Sequence, residues 1–205
     1  MKRILGFVSW AIGGVFIGGF SALWMGGMIP GGPSFGAAME LDGWISDWSV
    51  GSENANPYVR ARIARHGLLA LTKQEAVYFI KDTDDDGDQL RETCSYKVSG
   101  GAMPADWWSL TLYDSDSRLP MNEDAALSFD ATKAASIAPG DASNWAFLVA
   151  PTRQAQDDAG WVSSQAAGEF DLTLRLYKPT EALLADPQTL TVPTIERLSC
   201  DGEAS

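Results

Sequence analysis

From Ile4 to Ile29 no residue of the chain carries a charge, and this run constrains the fold more than any other feature. Roughly 20 apolar residues in a helix rising about 1.5 Å per residue cover the hydrocarbon core of a bilayer. The run therefore predicts a membrane-spanning helix over residues 4–29, within an anchor of residues 1–30. Lys2 and Arg3 precede it and no basic residue comes after it until Arg60. That asymmetry keeps the amino terminus cytoplasmic and places the remaining chain in the periplasm, the topology of a single-pass protein of a bacterial inner membrane. A cleaved signal peptide is the competing reading. Its apolar region is usually about 7–15 residues long and ends at a small-x-small site. Here the run is longer, and Trp24, Met25 and Met28 stand where small residues would be wanted. Both readings export the rest of the chain. Gly14 and Gly18 form a G-x-x-x-G that permits a second helix to approach, although glycine is common in membrane helices generally.

The 205 residues suffice for one ordinary domain plus such an appendage. Fifteen basic residues against twenty-seven acidic ones give a net charge of −12. This argues against a nucleic-acid partner, because duplex affinity comes mostly from neutralising phosphates. One histidine and two cysteines exclude zinc sites built from four cysteines or from paired cysteines and histidines. No cofactor motif is present. Residues 31–43, with Gly31, Gly32, Pro33 and Gly36, read as a Gly/Pro-rich tether, and residues 44–205 as one exported domain.

Within that domain Asn56-Pro57 suits a helix start, with the helix running to about Leu71. Beyond it, polar and apolar residues alternate in short segments. Strands are expected at 75–80, 93–98, 107–113, 128–130, 144–150 and 169–177, with a short helix at 179–185 and a closing edge strand at 194–200. Trp108, Leu110 and Leu112 share one face, as do Trp145, Phe147 and Val149, and Phe170, Leu172, Leu174 and Leu176. The expected fold class is α+β: an antiparallel β-sandwich or jelly roll with short N-terminal helices, preceded by one transmembrane helix.

Few constellations here suggest chemistry. Cys94 and Cys200 are an even pair in a domain placed outside the cytoplasm, where disulfides persist; two buried thiols are the alternative. Asp82, Asp84, Asp86 and Gly87 open like a calcium loop, but Leu90 and Thr93 occupy its later ligand positions, and a turn built from Asp and Gly also accounts for the run. Arg62, Arg65 and His66 lie in the one basic cluster and suit either an anionic ligand or the domain's own surplus carboxylates. Trp107 and Trp161 are the tryptophans least assignable to a core, and either offers a surface for a sugar ring. No G-x-S-x-G or H-E-x-x-H is present.

The ordered segments Asn-Pro-Tyr-Val-Arg-Ala (56–61), Ala-Arg-His-Gly-Leu-Leu-Ala-Leu (64–71), Glu-Ala-Val-Tyr-Phe (75–79), Asp86-Gly87 with Leu90, Trp-Trp-Ser-Leu-Thr-Leu-Tyr-Asp (107–114) and Leu-Thr-Leu-Arg-Leu-Tyr-x-Pro (172–179) resemble the domain of unknown function 1214 family. The resemblance extends from about Trp44 to Cys200. It implies a β-rich, jelly-roll-like fold and supplies no reaction, so no catalytic residue carries over. In that family the domain often follows a second module, the domain of unknown function 1254. With an anchor in that place, the resemblance implies a companion protein carrying the missing module. The expected role is a non-catalytic binding or assembly partner in the cell envelope; the alternative is a periplasmic glycan-active or carbohydrate-binding domain.

Overall fold

The computed structural model describes residues 2–29, 38–48, 57–58, 60–61, 71–137, 141, 143–153 and 160–201. The chain divides into two compact units, Met1–Ala37 with Ser49–Ala70, and Ala38–Trp48 with Leu71–Ser205.

In the first unit, α1 spans Lys2–Met25. Its end is set by Gly27, whose φ of 73° no residue with a Cβ adopts cheaply. The Met28 N–H reaches back to the Leu23 carbonyl at 2.9 Å and the Gly27 N–H to that of Trp24 at 3.2 Å, the paired bonds of a Schellman cap. Among the described residues no helix is long and apolar enough to cross a membrane. Of the helix expected over 56–71, Pro57, Tyr58, Arg60 and Ala61 are helical. Leu71 is not helical, and the rest, including Arg62, Arg65 and His66, lies outside the described residues.

The second unit holds two sheets. One runs β1 (Ala38–Leu41), β2 (Trp44–Asp47), β3 (Ala76–Lys81), β9 (Phe170–Pro179), β5 (Ala105–Asp114), β6 (Ser128–Asp130). The other runs β10 (Thr194–Cys200), β4 (Cys94–Gly100), β7 (Trp145–Ala150), β8 (Trp161–Ser163). Two short helices, α2 (Ala131–Ile137) and α3 (Glu181–Ala185), complete it. Asp130 starts α2 by accepting the N–H groups of Thr132 and Lys133, and Thr180 caps α3 through the Leu183 N–H.

Period-two alternation fills the space between the sheets. Trp108 of β5 stacks on Trp145 of β7 with ring centres 4.5 Å apart, and Phe129 of β6 on Phe147 of β7 at 4.4 Å. Tyr96 of β4 meets Phe170 of β9 edge-on at 6.0 Å. Leu110, Leu112, Leu172, Leu174 and Leu176 are fully buried among them. Trp44 is also buried, and its indole N–H donates to the Pro193 carbonyl at 2.8 Å. Gly100 has a packing reason, since a Cβ there would collide with the Trp145 ring.

Three expectations are corrected. Ala38–Leu41 belongs to a hairpin and not to a tether: Asp42 and Gly43, with φ of 47° and 81°, form the two-residue turn that pairs Leu41 with Trp44. The sheets are not uniformly antiparallel, because β7 and β8 run parallel, Leu148 opposite Trp161. The orders of six and four strands, with that pair, also differ from the paired antiparallel sheets of a jelly roll. What stands is a mostly β, α+β-like architecture of two sheets with few helices.

Candidate functional site

The face of the larger sheet turned away from the core carries the densest set of side chains suited to a ligand. On the central strand β9 the outward positions are Asp171, Thr173, Arg175 and Tyr177, and neighbouring strands supply partners by register. Tyr78 of β3 and Ser109 of β5 lie opposite Arg175, Trp107 lies opposite Tyr177, and Tyr113 opposite Asp171. Cross-strand neighbours stand about 5 Å apart, and diagonal ones about 7–8 Å. Half-buried Arg175 thus shares its face of the sheet with three tyrosines and a tryptophan.

Arg175 is aimed by hydroxyls. Its Nη1 donates to Thr111 Oγ1 at 3.0 Å and its Nη2 to the Tyr113 hydroxyl. The guanidinium also lies over the Tyr113 ring, 5.2 Å from its centre. Among the described residues no carboxylate forms an ion pair with it. Asp171 stands four positions back along the strand. Burial is the main cause that pushes its carboxyl up to about 6; Asp82 and Asp114 push the same way, while the Thr173 hydroxyl and Arg175 oppose. Burial also raises the Tyr78 phenol, with Tyr177 adding to it. Trp107 is 38% exposed, its ring centre lies 5.3 Å from that of Tyr177, and its indole N–H donates to Thr132 Oγ1 at 3.2 Å.

The other residues singled out from sequence lie elsewhere in the unit. Trp161, half-buried, donates to the Ala150 carbonyl at 3.1 Å. It lines a shallow polar recess of about 390 Å³ with Asp124, Lys133, Ser136 and Arg153. Cys94 and Cys200 are joined in a disulfide where β4 and β10 pair. The acidic turn is a strut. Asp84 is buried and accepts the N–H groups of Asp86 and Asp88 at 3.0 and 2.9 Å, its other oxygen lying 3.6 Å from Arg197 Nε. Asp85 binds Lys81 and the Ile195 N–H, each at 2.8 Å. These carboxylates fasten the turn to β10, and among the described residues no group of three His, Cys, Asp or Glu is placed to hold a metal.

The sequence pattern puts Arg175, Asp171 and Tyr177 on one face without marking them as a site. The signal that could have done so is a charged and aromatic series at every second position of a long alternating strand.

A family model described as "Protein of unknown function (DUF1214)" matches residues 75–181, from the strand before the acidic turn to the first turn of α3. The chain belongs to this family. Among solved structures it resembles the VPA0106 protein of Vibrio parahaemolyticus, with a TM-score of 0.56 and 20% identity over 71% of this chain and 36% of that one. It also matches an uncharacterized protein of Burkholderia cenocepacia, with a TM-score of 0.44 and 13% identity over 60% of this chain and 30% of that one. This DUF1214 chain thus spans about a third of the length of the structures it matches, and the first likeness concerns fold alone. No curated protein matches it.

Proposed function

We propose that this DUF1214 chain is a non-catalytic binding domain of the cell envelope, held at the inner membrane through residues 4–29, with its β-unit in the periplasm and docked to a companion protein. The observation that carries the reading is the Cys94–Cys200 disulfide, which joins β10 to β4 in the β-unit. The module of unknown function 1254 is the companion that the family resemblance suggests. Membrane attachment is supported by the uncharged run of the sequence from Ile4 to Ile29. Export is supported by the Cys94–Cys200 disulfide, a bond that persists in oxidising compartments. Purification of the full chain from detergent-solubilised membranes tests the docking: one stoichiometric partner is expected, and its absence overturns the proposal. A reporter active only in the periplasm, fused after Ser205, is expected to be active; an inactive one reverses the topology.

A second reading, saccharide binding, is favoured by one observation. Trp107 and Tyr177 offer adjacent rings on an outer sheet face, where the apolar face of a sugar stacks on π-density.

A further inference from the structure

The recess beside Trp161 inverts the charge of the chain around it. In a protein with twenty-seven acidic residues and fifteen basic ones, its walls bring together two cations, Lys133 and Arg153, and one carboxylate, Asp124. On α2, Lys133, Ser136 and Ile137 stand at i, i+3 and i+4, so one face of the helix forms a wall. Trp161, the first residue of β8, belongs to the same lining, and its indole N–H is spent on the Ala150 carbonyl at 3.1 Å. Gly160 makes that approach possible. Its φ of 96° is one that residues with a Cβ seldom adopt, and a Cβ there would come within 2.8 Å of the Phe129 ring. The charges of the recess are unequally committed. Asp124 accepts from the buried Ser163 hydroxyl at 2.6 Å, which ties it to β8. Lys133 Nζ donates to a neutral oxygen, the Ser128 carbonyl, at 2.6 Å and keeps two further N–H donors. Arg153 is exposed, and among the described residues neither it nor Lys133 forms an ion pair with a carboxylate.

We infer that this recess binds a sugar acid, a ring of monosaccharide size that carries a carboxylate. Its volume of about 390 Å³ falls in the range of small-molecule sites. The carboxylate meets Arg153, whose planar fork matches it by two parallel hydrogen bonds, with Lys133 as the second positive charge. The apolar face of the ring lies against Trp161. Asp124 decides between a sugar acid and a simple aromatic acid. A ligand without hydroxyls would bring an anion beside that carboxylate and offer it no donor, whereas ring hydroxyls donate to it. The net charge of −12 does not forbid the site. At physiological salt the screening length is about 8 Å, so distant carboxylates contribute little beside a direct guanidinium contact. The site shares no residue with the Trp107–Tyr177 pair and does not depend on the saccharide reading given for it.

The test is calorimetric titration of the full chain in detergent micelles with glucuronate, glucose and glucose 1-phosphate. Glucuronate is expected to bind about fivefold more tightly than glucose, the scale of one open charge pair. Arg153→Gln, at an exposed side chain, is expected to cut that preference to less than about twofold and to leave the glucose affinity in place. Trp107→Ala is expected to leave glucuronate binding unchanged, which separates this recess from the outer sheet face. Equal binding of glucuronate and glucose, or binding of neither, overturns the inference. Tighter binding of glucose 1-phosphate than of glucuronate overturns the carboxylate assignment. A preference for glucuronate that survives Arg153→Gln combined with Lys133→Gln, or that is lost in Trp107→Ala, places the acid elsewhere and overturns the site.

Discussion

The two faces of the six-stranded sheet are built by the same strands in alternation and differ in almost every physical respect. On β5, Trp108 and Trp107 are neighbours in sequence. The first is 7% exposed and stacked on Trp145; the second is 38% exposed and rests on Tyr177. On β9, Leu172, Leu174 and Leu176 enter the core, while Asp171, Thr173, Arg175 and Tyr177 point the other way. The inner face is filled by whatever apolar volume closes the gap to the second sheet, a demand many sequences meet. The outer face carries an oriented arginine and a carboxyl with a raised pKa, neither of which the fold requires. Side chains that stability does not explain are where function is sought.

The largest effect that challenges this contrast is expected at Trp108. Trp108→Ala removes an indole stacked on Trp145 and packed against Phe129. It is expected to cost about 3–5 kcal/mol, the usual range for emptying a core aromatic position. Chemical denaturation at neutral pH measures it, and a loss below about 1 kcal/mol would show that the inner face is not the core.

The next effect belongs to the second sheet. The Cys94–Cys200 bridge closes a sequence separation of 106 residues at the edge pairing of β4 with β10. Replacing both cysteines by serine is expected to cost about 2–4 kcal/mol, chiefly by freeing the unfolded chain. Unfolding of the oxidised native protein and of the variant gives the difference, and equal midpoints would mean that β10 is held by other contacts, such as Asp85 to the Ile195 N–H.

Much of the inner face is legible in the sequence because burial on one side forces a period of two. Trp108, Leu110, Trp145 and Phe147 follow from that alone. The β1–β2 hairpin is hidden although Asp42-Gly43 is a strong hairpin dipeptide, since the glycines and prolines just upstream resemble a linker. β8 has three residues and no period to detect, and its parallel partner depends on a crossover that sequence does not announce. Likewise, the cluster around Arg175 exists only through register. Tyr113 lies 62 residues from Arg175 in sequence and Thr111 lies 64, and no local pattern states which strand lands beside which.

A third effect has the opposite sign. Asp171 in the folded protein keeps its proton up to about 6, against about 3.9 in an unfolded chain. A group whose pKa rises on folding contributes stability fully present below the unfolded value and lost as pH climbs through the folded one. Asp171→Asn fixes the neutral state and retains an acceptor for the Thr173 hydroxyl, 3.0 Å away. The variant is expected to match the native protein below pH 4 and to exceed it above pH 6 by about 3 kcal/mol. Melting curves across that window check it. A difference independent of pH would mean that the Thr173 hydroxyl and Arg175 hold this carboxylate charged in spite of its burial.

The smallest expected effect is the most telling about the two faces, because it concerns the residue adjacent to Trp108. Trp107→Ala gives up one hydrogen bond to Thr132 at 3.2 Å and the contact with the Tyr177 ring. The indole is already partly in water, so little transfer energy is lost and no closed cavity forms. The hydrogen bond is exchanged for one to solvent, which nets about 1 kcal/mol at most. The expected loss of stability is therefore about 1 kcal/mol or less, with the fold and the Trp108–Trp145 stack unchanged in near-ultraviolet circular dichroism. On the saccharide reading, oligosaccharide binding is expected to weaken severalfold in the same variant, since the ring that carries the sugar is gone. A cost of several kcal/mol would place Trp107 in a second core, and the outer face of the sheet would then serve stability as the inner one does.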